Sequence, residues 1–286
     1  MNIYLVYERY ESENFVNENE KIAQTINTWV EDQTNRLIKN LLSPSDIRAN
    51  TRLIIINCIY FKGTWVDQFN EYATDHNANF HELNGTNSKI SLMYQKRKFA
   101  YAENKSLHIQ IVHLPYKNNN QDVQFVFTII LPKEDVLLSE IEQKFASKPN
   151  LLEDVLHPQN TTSLKLLLYI PKFKMDFTCE LTTVLEQLGM KDAFNGNKAD
   201  FSGIVNKQDD RFALFIIVHK AFIDVNEHGT EAAAATAITA ELCCARRRQP
   251  QPILFRADRP FLFYIREVRQ NLTLFTGKLL TCTSLL

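Results

Sequence analysis

Few residues in this chain are spaced for reactive chemistry. His81-Glu82 could open a zinc-binding helix, but the second histidine of such a helix is missing. Cys243 and Cys244 are adjacent, and neighbouring thiolates reach one tetrahedral ion poorly, so no metal or redox site is read there. No nucleophile elbow, phosphate-binding Walker loop or dinucleotide fingerprint is present. His219 lies within an apolar strand, where a buried, hydrogen-bonded structural histidine is preferred to a catalytic one. Arg246-Arg247-Arg248 could meet heparin or nucleic acid, although a solvated loop is the plainer reading. Nothing supports an enzyme.

The most unusual stretch stands out by size instead. Glu227 to Ala240 reads EHGTEAAAATAITA, too uniformly small to give an amphipathic helix an apolar face. Thr, Ile and a lone Gly are also poor choices for a surface helix. Cys-Cys-Ala, the three arginines and prolines at 250 and 252 follow. The whole connects two strands, and loops of that length inside a compact domain are usually functional.

The flanking elements follow from apolar periodicity. Lys21 to Leu42 carries apolar residues at a 3.6 spacing and predicts a helix stopped by Ser43-Pro44. Arg52 to Phe61 is a near-continuous apolar run, read as a strand buried on both faces. Leu107–Leu114, Val123–Leu131 and Leu164–Ile170 read as strands, the last two closed by prolines. Phe177 to Met190 reads as a helix ending near Gly189, and Phe212 to Val225 as a long strand. Phe261–Val268 and Leu272–Leu280 read as a hairpin. There is no internal repeat or flexible linker, so the expected fold is one α+β domain dominated by sheets.

Composition narrows the classes further. The chain has 286 residues, 45% of them apolar, enough for a sizeable core. A formal charge of −1 gives no global footprint for nucleic acid. No apolar run reaches the roughly 18–20 residues that cross a bilayer. Charges interrupt the first apolar stretch, so it does not read as a signal peptide. Five unpatterned cysteines do not read as a disulfide framework. Sequons at Asn84, Asn104, Asn160 and Asn271 are too easily met by chance in an Asn-rich chain to indicate secretion.

Five segments, in order, resemble the serpin family. They are INTWVEDQTNRLIKNLL (26–42), NCIYFKGTW (57–65), LEQLGMKDAFNGNKADFSGI (185–204), EHGTEAAAATA (227–237) and FRADRPFLFYI (255–265). The resemblance covers about residues 15–282. It implies a serpin-like α+β fold with large mixed and antiparallel sheets, surrounding helices and an exposed reactive-centre loop. It also implies a single domain over 1–286 lacking the N-terminal helices that make up the first quarter to third of the family's fold. A monomer without cofactor or metal, and without a nucleic-acid or membrane partner, is expected. An extracellular location is favoured, with the cytoplasm as alternative.

The resemblance also assigns roles. A serine protease would cleave the loop, which then inserts as a strand into the central sheet and traps the enzyme. Alternatives are a non-inhibitory serpin, such as a carrier, chaperone or storage protein, and an inactive truncated copy. Glu227, Gly229, Thr230, Glu231, Ala232, Ala233, Ala234, Ala235 and Thr236 match the hinge. Lys172 matches the lysine that pairs with Glu227, Trp65 the aromatic where the loop first enters, and Asn57 and His219 a hydrogen-bonded pair across the parting strands. Family spacing puts the scissile bond at Cys243-Cys244, fitting a chymotrypsin- or elastase-like protease. Counting back from Pro260 gives Arg246 instead, and a trypsin-like target. Side-chain size agrees with the hinge assignment: alternate residues of a strand face one way, and Thr230, Ala232, Ala234 and Thr236 are all small enough to enter a formed sheet.

Overall fold

The computed structural model describes residues 2–5, 18–47, 51, 53–118, 122–201, 216–230 and 251–281. Its elements are β1 (Asn2–Leu5), α1 (Asn19–Gln33), β2 (Ile54–Thr64), β3 (Asp75–His81), β4 (Asn87–Asn104), β5 (Ile109–Pro115) and β6 (Phe125–Pro132). Then come α2 (Leu138–Ser147), α3 (Pro149–Leu156), β7 (Thr162–Pro171), β8 (Phe173–Glu180), α4 (Thr182–Gln187) and β9 (Ile216–Asn226). The last are β10 (Gly229–Thr230), β11 (Ile253–Arg256), β12 (Phe261–Glu267) and β13 (Leu272–Leu279). Among the described residues there are two sheets, one of eight strands and one of five in the order β1-β2-β10-β9-β8. The expected α+β class with large mixed sheets holds.

The chain divides into two compact units. The first contains residues 62–174 and the chain from 224 onward. It holds the whole eight-stranded sheet, in the order β11-β7-β4-β5-β6-β12-β13 with β3 on β4. Every residue of β6 and of β12 is buried, because both strands are central and, apart from Thr128, Arg266 and Glu267, apolar. Ile109, Ile111, Ile130, Leu262 and Tyr264 form a core with Leu138, Ile141 and Phe145 of α2. Those three α2 residues recur at the i, i+3, i+7 spacing that puts them on one helix face.

The second unit contains residues 2–61 and 175–223. Here β2 and β9 run parallel and pair directly, from Ile54 with Ile216 to Tyr60 with Phe222. Val30 of α1 packs on Cys58 and Val218 of these strands. Burial pushes the Cys58 thiol up to about 11, against a smaller opposing pull from Lys220, so it stays protonated and unreactive. Ile54 to Asn57 are only half-buried, whereas the sequence predicts a strand covered on both faces.

Two helix expectations are corrected. The helix expected to reach Leu42 stops at Gln33. The Thr34 hydroxyl donates to the Val30 carbonyl, and Asn35 and Arg36 turn left-handed at φ 50° and 63°. Asn27 then satisfies the backbone of Leu42 through both side-chain atoms, at 2.8 and 2.9 Å. Ile38, Leu41 and Leu42 therefore stay in the Val30 core without being helical. The helix expected over Phe177–Met190 shrinks to Thr182–Gln187. Phe177–Glu180 is the end of strand β8, and Phe177 is 57% exposed.

Candidate functional site

Glu227 is the centre of a built polar cluster. Its residue is 2% exposed, yet it carries a carboxylate. Lys172, between β7 and β8, brings its Nζ to 2.9 Å from Glu227 Oε2. The Thr74 hydroxyl donates to Oε1 at 2.9 Å. Burial alone would raise the Glu227 pKa, but the Lys172 hydrogen bond, the Thr74 hydrogen bond and the lysine charge together hold it below the ordinary carboxylate value. The Phe69 amide donates to the Glu227 carbonyl and the Trp65 amide to that of His228, at 2.9 and 3.0 Å. His228 Nε2 lies 2.7 Å from Glu71 Oε1. The tight turn after β9 is thereby tied to the segment following β2 along both backbone and side chains.

Beyond that turn the chain reverses into β10. Gly229 pairs with Thr64 and Thr230 with Gly63 on one side, both antiparallel. On the other side Gly229 pairs with Asn226 and Thr230 with Val225, again antiparallel. The two residues thus lie as a short strand between β2 and β9. Gly229 is required by close approach, since a Cβ there would fall 2.0 Å from the Gly63 oxygen. Thr230 is fully buried, and its hydroxyl lies 2.6 Å from the Tyr116 hydroxyl. Trp65 stacks on Tyr116 with ring centroids 4.5 Å apart, and its indole N–H donates to the Asn226 carbonyl at 2.9 Å.

In the second unit, Asn57 Oδ1 and His219 Nδ1 are 2.8 Å apart across paired positions of β2 and β9. Burial lowers the His219 pKa and favours its neutral form. The geometry therefore brings together Glu227, Lys172 and Trp65 with Gly229 and Thr230, and separately Asn57 with His219. Glu231, Ala232, Ala233, Ala234, Ala235, Thr236, Cys243, Cys244 and Arg246 lie outside the described residues. Sequence reasoning missed Thr74, Tyr116 and the His228–Glu71 pair. Thr74 and Tyr116 lie 153 and 114 positions from their hinge partners and carry no local motif.

The parallel pair of β2 and β9 is thus separated at one end by a strand of two small residues. The family model described as Serpin (serine protease inhibitor) matches residues 4–282. The chain belongs to the serpin family. The human leukocyte elastase inhibitor is 36% identical to this serpin over 269 residues, covering 93% of this chain and 68% of that protein. The crystal structure of Serpin48 from the insect Tenebrio molitor, described as a highly specific serpin, superposes with a TM-score of 0.78 at 32% identity, covering 93% and 66% of the two chains. Human thyroxine-binding globulin complexed with its hormone superposes at 0.79 with 27% identity, covering 96% and 67%. Against curated relatives, this serpin spans 58% to 68% of their length.

Proposed function

We propose that this serpin inhibits a serine protease as a suicide substrate. The observation that carries the reading is β10: Gly229 and Thr230 pair on both flanks inside a sheet whose neighbours pair directly elsewhere. A protease serine attacks the carbonyl of Cys243, forms an acyl ester and releases the amine of Cys244. The chain beyond Thr230 then extends β10 down the sheet and carries the ester-linked protease with it. About 14 inserted residues at ~3.3 Å each would move it ~45 Å. Displacement of the protease triad by about 1 Å is enough to slow deacylation strongly.

In this reading Glu227 and Lys172 seat the turn from which insertion starts, Trp65 and Tyr116 receive the first inserted residue, and Asn57 with His219 hold the strands that must part. Glu231, Ala232, Ala233, Ala234, Ala235 and Thr236 follow as further hinge strand. The elastase-inhibitor relative supports a small apolar specificity pocket in the target, with cleavage at Cys243. Cleavage at Arg246 by a trypsin-like enzyme is the alternative. The likeness to a thyroxine-binding protein favours a second reading, a non-inhibitory carrier, but alternate small residues along the hinge suit insertion better.

Incubation with elastase-, chymotrypsin- and trypsin-like proteases tests the proposal. A covalent complex that survives denaturing electrophoresis is expected with at least one of them. Cleaved loop without complex, across the whole panel, overturns it.

A further inference from the structure

Two buried nitrogens on one face of the eight-stranded sheet, His113 Nε2 and Arg266 Nε, have no hydrogen-bond partner among the described residues. His113 of β5 is 5% exposed and Arg266 of β12 is 2% exposed. Strand register puts them on the same face. His113 pairs with Thr128 of β6, and Thr128 pairs in turn with Tyr264 of β12. Arg266 lies two residues beyond Tyr264, and side chains two apart point the same way. It is the face that residues of α2 and α3 cover. Between the two long side chains the sheet carries only Val126 and Thr128 of β6, both small and β-branched.

The Arg266 guanidinium is short of negative charge. It donates to the Leu156 carbonyl at the end of α3, at 2.6 Å, and to Asn271 Oδ1. Both acceptors are neutral. Burial lowers the Arg266 pKa, and the Glu153 charge opposes this from a distance. Glu153 touches Asn271 instead, accepting from its side-chain amide at 2.6 Å. Among the described residues no carboxylate forms an ion pair with Arg266. His113 offers no counter-charge either. Its Nδ1 lies 2.7 Å from the Thr128 hydroxyl, and burial first, then the Arg266 charge, keep the ring neutral. A buried ion without a contacting counter-charge is costly. A buried polar atom without a partner points to an ion or water that completes it.

We propose that Arg266 and His113 hold a halide ion in the core beneath α3. The guanidinium supplies the positive charge and its Nε–H. The neutral imidazole donates from Nε2, while Nδ1 accepts from the Thr128 hydroxyl. Hydrogen bonds to an ionised partner are the stronger kind, and a spherical ion accepts them from any direction. A sulfate or phosphate would need more donors than these two, and water would leave the guanidinium charge unanswered. This site is independent of the inhibitory reading and uses none of its residues.

The test follows thermal unfolding of the 286-residue chain as chloride or bromide replaces gluconate. Ionic strength is held constant, which removes general screening from the comparison. A halide bound only by the folded protein should raise the midpoint by about 2–4 °C once it exceeds its dissociation constant several-fold. His113→Glu puts a carboxylate in reach of Arg266 and should abolish that rise. If this variant does not fold, Glu153→Gln decides, since Glu153 is exposed. Removing that competing charge should move the halide response to lower concentration. In a bromide-soaked crystal an anomalous peak is expected beside Arg266 Nε. Any of four results overturns the proposal: a midpoint indifferent to halide, a rise that persists in His113→Glu, a response that Glu153→Gln does not strengthen, or water alone at the bromide position.

Discussion

A buried carboxylate needs its partners, and Glu227 has Lys172, Thr74 and its own backbone amide. Removing Lys172 leaves a charge at 3% side-chain exposure with the Thr74 hydroxyl and its own backbone amide. Lys172→Ala should cost about 1–2 kcal/mol of stability, less than for a fully buried pair because the lysine is 42% exposed and water can replace it. Denaturant unfolding measures this. Since the Glu227 pKa is lowered in the folded protein, its contribution is present above the unfolded carboxylate value of about 4.3 and disappears as pH falls through the folded value.

His113 gives a clearer pH signature. Burial first, and the nearby Arg266 charge second, push its pKa down to about 4. The unfolded value is about 6.5, so the folded protein binds fewer protons between the two. The neutral imidazole, 2.7 Å from the Thr128 hydroxyl, contributes its full stability above about pH 6.5. That contribution, about 3 kcal/mol, is lost as pH falls toward 4. Unfolding curves from pH 7 to 4.5 should show the decline, and His113→Gln should flatten it. An equally steep decline in the variant would assign the effect to other groups.

Among the elements, β10 is the one on which function turns. Two residues are too short to be stable alone, and both are held because they bond on either side. Gly229→Ala would drive a Cβ into the Gly63 carbonyl, so the strand could not keep this register. The expected outcome is a shift from covalent complex to cleaved product when the variant meets its protease. Unchanged complex formation would show that entry of the hinge does not need this close approach. Apolar runs located the ends of β6, β7, β12 and β13 to within a few residues: β6 and β12 are buried throughout, and β7 and the edge strand β13 still bury part of their length. The long β3–β4 hairpin had no distinct signal in the pattern, and the helical spacing of Leu138, Ile141 and Phe145 in α2 is confined to ten residues. Strand β4 mixes Lys96, Arg97 and Lys98 with Phe99 and Tyr101, so its alternation is visible only once its partner strands are known.

At the scale of the whole molecule, the proposed mechanism makes insertion a net gain of ladder and burial. Cutting the chain between Cys243 and Arg246 should therefore raise the thermal midpoint of the protein, as the freed hinge extends β10. Calorimetry before and after limited proteolysis reads this. A midpoint that stays level or falls would remove the energetic basis for trapping.

The sequence alone determined the family and the candidate hinge, because small side chains in a fixed order leave a local signature: Glu227, Gly229, Thr230 and the alanines after them sit consecutively. It also named Lys172, Trp65, Asn57 and His219, through family motifs. Tertiary structure alone decided that Tyr116 meets Thr230, that Thr74 meets Glu227, and that Arg266 shares a sheet face with His113. Such contacts join residues far apart in the chain through strand register, and register depends on which strands pair, which no local pattern encodes. For the same reason the apolar spacing after Gln33 suggested more helix than exists: burial fixes which residues face the core, while Asn27 and the left-handed turn at Asn35 and Arg36 fix the backbone that carries them there.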